Sequence, residues 1–140
     1  MRLKCLNSNK LQRITIKNYL IDWDKPSVSK PQTTVKNFLY DYWKNCIVLE
    51  ECRIPGSLLR LDFLNINKKI IIEVSPKNVH DQFNLFFHKT RIGYLNSLKR
   101  DFKKIEWAEA AGYTLLEIYE EDIKKNLNYE WFVQKFAVYL

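Results

Sequence analysis

The sequence predicts an α/β fold, with a central mixed β-sheet flanked by helices in the order α-β-β-β-α-β-α. Three observations predict it. Apolar residues recur at helical spacing over 35–46, three short apolar segments separated by turns occupy 47–74, and the helical period returns after Phe83. At 140 residues, with 46% hydrophobic and 14% aromatic content, the chain can fill one compact core, which excludes wholesale disorder.

Each element has a local reason. Leu11 to Ile21 mixes apolar and basic residues without a clean period, so a short strand and a turn of helix both remain open. Residues 24–31 are polar and carry Pro26 and Pro31, the one linker-like stretch of the chain. Val35, Phe38, Leu39, Tyr42, Trp43 and Cys46 then share one helical face, with Ser29 placed to cap and Pro31 tolerated in the first turn. Residues 47–54 and 58–64 read as strands joined at Pro55-Gly56-Ser57. Residues 65–69 form the next turn, and Lys69 to Val74 contains three consecutive isoleucines, Ile70 to Ile72, as a strand covered on both faces would. Phe87, Tyr94, Leu98, Phe102, Ile105 and Ala108 mark one long helix or two shorter ones, ending near Gly112. Tyr113 to Tyr119 is a further strand, and Tyr129, Phe132, Val133, Phe136, Ala137 and Leu140 form a final amphipathic helix. The expected organisation is a basic N-terminal segment over 1–30, with a contacting arm as its expected role, followed by the main domain over 31–140.

The formal charge of +7 is unevenly distributed. Residues 1–46 carry a net +6 and 77–104 a net +5, whereas 105–130 carry −5 and 47–76 are balanced. Such polarity predicts a basic face toward a polyanion, nucleic acid or an anionic membrane, with the acidic run turned away from it. No apolar run approaches the roughly 18 residues of a membrane span, and Met1 to Lys4 leads into no signal-peptide core, so the expected location is the cytoplasm. Cys5, Cys46 and Cys52 are odd in number and lack paired-ligand spacing, which predicts reduced thiols and no zinc site.

The acids of the balanced region carry the chemistry. Asp62 ends one apolar strand and Glu73 ends the next, so neighbouring strands can aim both carboxylates at one spot. Carboxylate oxygens with water are the ligands Mg²⁺ prefers, and a phosphodiester can supply a further oxygen. Glu51 or Glu50 on the preceding strand can add a third acid. The plainer alternative pairs these acids with Arg53, Arg60 or Lys69 at exposed strand ends. Against it, both acids interrupt apolar segments, where an unpaired carboxylate is costly.

The stretch from Glu51 through Ile54-Pro55-Gly56 to Leu61-Asp62-Phe63, followed by Ile70-Ile71-Ile72-Glu73-Val74, resembles the core of the PD-(D/E)xK nuclease superfamily. More narrowly it is similar to compact phage and intron-borne endonucleases related to very-short-patch repair nucleases. Phe86 to Lys89, Arg100 to Lys104, Glu106 to Glu109 and Gly112 to Ile118 continue the likeness, and Ser29 to Gln32 with Trp43 fit it more loosely. The resemblance spans about residues 29–119. It implies a restriction-endonuclease-like core and hydrolysis of DNA phosphodiester bonds by an activated water with Mg²⁺, for which Mn²⁺ substitutes. It makes Asp62 and Glu73 the metal-binding acids with the Val74 carbonyl as a further ligand. It makes Glu51, three residues before Ile54-Pro55, the outer acid. A homodimer is expected from the chemistry, because one site cuts one strand.

The sequence departs from that pattern at one place. The superfamily's lysine, two residues after the second acid, is Ser75, and the glycine of the narrower relatives is Pro76. A serine hydroxyl positions water but brings no positive charge. Lys77, His80 or Lys104 is expected to supply the missing positive or proton-donating group. His80 serves equally as a loop or capping residue, and His88 reads first as packed at a helix surface. Asp101 and Lys104, three apart on a helix, can pair with each other, or Lys104 can aim at the acids with Asp101 holding it. Lys30, Lys89, Arg91, Arg100 and Lys103 are expected to follow a DNA backbone. Two other functions fit the same residues: a nuclease fold that binds DNA without cutting it, and a module for an acidic protein partner.

Overall fold

The computed structural model describes residues 1–76 and 98–140 in full and the backbone of 91–97. Lys77, His80, His88 and Lys89 lie outside the described residues, as does the side chain of Arg91. In chain order the elements are β1 (Arg2–Lys4), β2 (Leu11–Arg13), a 3₁₀ turn (Ile16–Asn18), α1 (Lys30–Trp43), β3 (Val48–Arg53), β4 (Arg60–Asn65), β5 (Ile70–Ser75), α2 (Arg91–Ala111), β6 (Thr114–Tyr119), α3 (Glu120–Lys125) and α4 (Tyr129–Phe136). Among the described residues, the order from α1 onward matches the expected one, with α3 as an addition.

Strands β3, β4, β5 and β6 form one sheet in that order. The first three run antiparallel, and β6 lies parallel to β5. The sheet is therefore mixed, and the parallel pair needs the long crossover that contains α2. The isoleucine run divides between two cores. Ile70 and Ile72 pack with Val35, Leu39 and Trp43 of α1 and with Phe132 of α4, whereas Ile71 packs with Leu49, Leu64 and with Trp107 and Ala108 of α2. A strand buried on both faces has no polar face to show, which is why its sequence does not alternate.

The helix ends follow local chemistry. Ser29 caps α1, its Oγ accepting from the Gln32 N–H at 3.3 Å, with Pro31 in the first turn. Gly112, at φ 83°, ends α2 in the left-handed region where a side chain is disfavoured. Asn128 caps α4 at 2.8 Å from the Trp131 N–H. The expected final helix reaches Leu140, but α4 stops at Phe136 because Ala137 turns left-handed at φ 53°. That turn sends Val138 and Leu140 back onto the α1 core, and their burial offsets the strained alanine.

The N-terminal segment is bound to the rest of the chain at several points. Both options for Leu11 to Ile21 occur, a strand at β2 and the 3₁₀ turn after it. Leu3 is 2% exposed within the α2-side core. The Ile21 N–H donates to the Val48 carbonyl, and the Glu50 N–H donates to that of Tyr19, so residues 19–21 cover the free edge of β3. No described helix is long and apolar enough to cross a membrane. The three cysteines are free, and burial pushes the Cys52 thiol up to about 11.

Candidate active site

Strand register brings the acids together. Phe63 pairs with Ile72 across β4 and β5, so the next step of the ladder sets Asp62 beside Glu73. On the other side of β5, Glu73 pairs in register with Glu117 of β6. Asp62, Glu73 and Glu117 thus lie in one transverse row of the sheet. Two residues along each strand, Leu64, Ile71 and Leu115 form a row in the α2-side core. Side-chain alternation puts the three acids on that same side.

Each carboxylate accepts a backbone N–H from the other strand. The Asp62 N–H donates to Glu73 Oε2 at 2.8 Å, and the Val74 N–H donates to Asp62 Oδ2 at 2.8 Å. From α2, Lys104 Nζ donates to Glu73 Oε1 at 2.5 Å. Glu73 is only 8% exposed. Burial, reinforced by the Glu73 charge, pushes the Asp62 carboxyl up to about 8, against the opposing pull of the Val74 N–H and Lys104. Burial and the neighbouring Glu73 charge thus both favour the protonated form of Asp62.

A cleft of about 430 Å³ opens beside the pair. Leu58, Leu59 and Arg60 line it before and along β4, Arg100, Asp101 and Lys104 line it from α2, and Asp62 faces it. Arg60 and Arg100 are exposed and bring positive charge to the cleft that Asp62 lines. Lys103 is exposed on α2, while Lys30 is exposed at the start of α1, on the opposite layer.

Glu51 lies elsewhere. Its φ of 54° inverts the alternation of β3, so that Glu50 and Glu51 both meet Gln32 of α1, while Cys52 enters the α2-side core. Gln32 Nε2 donates to Glu50 Oε2 at 3.2 Å and to Glu51 Oε1 at 3.1 Å. Glu50 also accepts from Lys36 Nζ at 2.9 Å and from Ser27 Oγ at 2.5 Å. The structure thus joins Asp62, Glu73, Val74 and Lys104, and ties Glu51 to the α1 layer. Ser75 is 6% exposed, in register with Tyr119.

No family model matches this chain, and no curated protein or solved structure matches it.

The donor set suits a hard divalent cation. Two carboxylates on adjacent strands repel each other in a buried place, and a cation between them relieves the repulsion. Among the described residues no group of three or more His, Cys, Asp or Glu forms a metal cluster. Mg²⁺ needs no such group, because it keeps several waters and takes one or two carboxylates with phosphate oxygens.

Sequence spacing does not reveal two neighbours of the pair, Arg60 at the cleft and Glu117 in the acid row. It offers Arg60 only as an ion-pair partner for the acids. Glu117 belonged to the acidic run expected to face away from a polyanion, yet its strand position is beside Glu73. The signal was present, since Glu117 interrupts an apolar strand as Asp62 and Glu73 do. Its hydroxyl neighbour Tyr119 donates to Glu117 Oε2 at 3.4 Å.

Proposed function

We propose that this protein is a metal-dependent DNA endonuclease with a restriction-endonuclease-like core. The observation that carries the reading is the pair of carboxylates set side by side across β4 and β5, Glu73 accepting from the Asp62 N–H and Asp62 from the Val74 N–H, with Lys104 on Glu73. Two acids from adjacent strands can hold a divalent cation, and one lysine can bring positive charge to a phosphate oxygen. The resemblance of residues 51–74 to PD-(D/E)xK nucleases supports the same reading.

In this proposal Asp62 and Glu73 hold Mg²⁺, or Mn²⁺ in its place, with the Val74 carbonyl as a further ligand. The bound ion supplies Lewis-acid polarisation of the phosphate and a lowered pKa for the attacking water. Lys104 takes the part left open by Ser75, bringing a positive charge from the helix rather than from the strand. Lys77 and His80 remain proposed contributors for proton donation, whereas Glu51, held by Gln32 on the α1 layer, stands outside the metal site. Arg100 and Lys103, with Lys89 and Arg91, contact phosphates, and Arg60 joins them, whereas Lys30 would meet them only from the α1 layer. A homodimer would place two such sites on opposite strands.

Supercoiled plasmid incubated with the protein and Mg²⁺ or Mn²⁺ tests this. Nicked or linear product that disappears in Asp62→Ala supports it. Intact plasmid alongside salt-sensitive DNA binding assigns instead a nuclease fold that no longer cuts, the outcome suggested by Ser75 and Pro76. Absence of both cutting and DNA binding removes the reading in favour of an acidic protein partner.

A further inference from the structure

The outer face of the β1–β2 ribbon carries an unfavourable arrangement. Arg2 and Arg13 are direct cross-strand partners, and both are exposed. Like charges placed opposite each other on one face destabilise a ribbon. Two residues along, Lys4 pairs with Leu11 on the same face, and Leu11 is 61% exposed. Lys10 follows in the turn. Among the described residues no acid forms an ion pair with Arg2, Lys4, Lys10 or Arg13.

The ribbon is nonetheless held rigidly. Leu3, on its inner face, is buried against the α2-side core. The Leu6 N–H donates to the Pro55 carbonyl at 2.9 Å, and Trp107 Nε1 donates to the Lys4 carbonyl at 2.7 Å. Gly56, at φ 78°, would place a Cβ 3.7 Å from that of Cys5, which shows how closely the ribbon meets the turn. Pro55 and Gly56 lead into Leu58, and Trp107 lies one helical turn beyond Lys104. The ribbon is thus anchored on the β3–β4 turn and on α2, the two parts of the chain that also lead to the lining of the acidic cleft.

We propose that this ribbon face is a second nucleic-acid contact, which grips the phosphate backbone of duplex DNA beside the cleft and carries no base readout. The proposal rests on the endonuclease reading for the identity of the polyanion. Phosphates supply the missing anions, and an opposed arginine pair that repels itself in the free protein is satisfied by two phosphates. Two exposed arginines, a lysine and a short ribbon on a fixed mount track a backbone without recognising sequence. The ribbon fixes where along the duplex the Asp62–Glu73 pair comes to rest.

The test is fluorescence anisotropy of the full chain with labelled duplexes of unrelated sequence, in Ca²⁺, across a salt series. Wild type, Arg2→Gln/Arg13→Gln and Asp62→Ala are compared, each with a thermal melt. The double variant should bind every duplex about 5- to 20-fold more weakly, with a salt slope smaller by about 2. Its melting temperature should equal or exceed that of wild type, because the repulsive pair is gone. That combination separates lost contact from lost fold. Unchanged affinity and slope in a chain whose wild type binds DNA overturns the ribbon contact and leaves the endonuclease reading standing. No DNA binding by wild type overturns both. Ribbon-dependent binding to vesicles rich in anionic lipid, with DNA affinity unaltered, also overturns it and assigns the face to a membrane surface.

Discussion

Lys104 Nζ lies 2.5 Å from Glu73 Oε1, an ion pair that ties a helix to a strand across 31 residues of sequence. Both partners are mostly buried, with side-chain exposures of 21% and 11%. The pair also explains how Glu73 stays inside an apolar sheet. Its Oε1 faces a cation, its Oε2 faces the Asp62 N–H, and few lone pairs are left without a donor.

Removing one partner of a buried ion pair strands the other. Lys104→Ala is expected to cost about 2–4 kcal/mol in urea denaturation, and Lys104→Arg less. In plasmid cleavage Lys104→Ala should reduce the rate by about 100-fold or more, with DNA affinity much less affected. Stability equal to wild type would show that the pair contributes nothing.

The Asp62 carboxyl gives the metal-free protein a pH dependence of definite sign. The unfolded chain releases this proton near 3.8, whereas the folded protein keeps it up to about 8. Between those values the folded state binds more protons, so this contribution to stability is full below the window and is lost as pH rises through it. The slope from this one group reaches at most about 1.4 kcal/mol per pH unit. Asp62→Asn, which has no proton to release, should flatten melting temperature against pH between 5 and 8. An unchanged profile would refute the buried, protonated acid.

Divalent cations should reverse that dependence. Mg²⁺ bound between Asp62 and Glu73 displaces the proton, so melting temperature in Mg²⁺ should rise at pH 8 more than at pH 5. A concentration of ten times Kd contributes about 1.4 kcal/mol. Calorimetric titration should show proton release with wild type and no binding with Asp62→Asn. Equal heats from the two proteins would place the ion elsewhere.

On the other layer, Lys36 is 1% exposed and donates to Glu50 Oε1 at 2.9 Å and to the Lys25 carbonyl at 2.7 Å. With Ser27 and Gln32 it clamps the proline-bearing connector onto α1 and β3. Lys36→Met should cost about 3–5 kcal/mol, and Lys36→Met/Glu50→Leu substantially less than the two single losses combined. Additive losses in a denaturation cycle would mean that the two charges act independently.

Local pattern decided much of this molecule. The α1 face from Val35 to Trp43, its Ser29 cap, the isoleucine strand and the Gly112 stop are all legible because helical spacing, capping and glycine preference act over a few residues. The Asp62–Glu73 pairing was within reach too, since a short turn joins their strands and leaves few registers.

Three features depended on the tertiary structure. Glu117 joins the acidic row only because β6 lies parallel to β5 in a register set by the α2 crossover and by two cores packing at once. Glu51 turns to Gln32 because one left-handed residue inverts the strand, so its distance in sequence from Ile54-Pro55 does not report its direction. Lys104 chooses Glu73 because the packing of Trp107 and Ala108 sets the rotation of α2. Sequence spacing dictates which face of an element a residue occupies, whereas packing between elements dictates what that face meets.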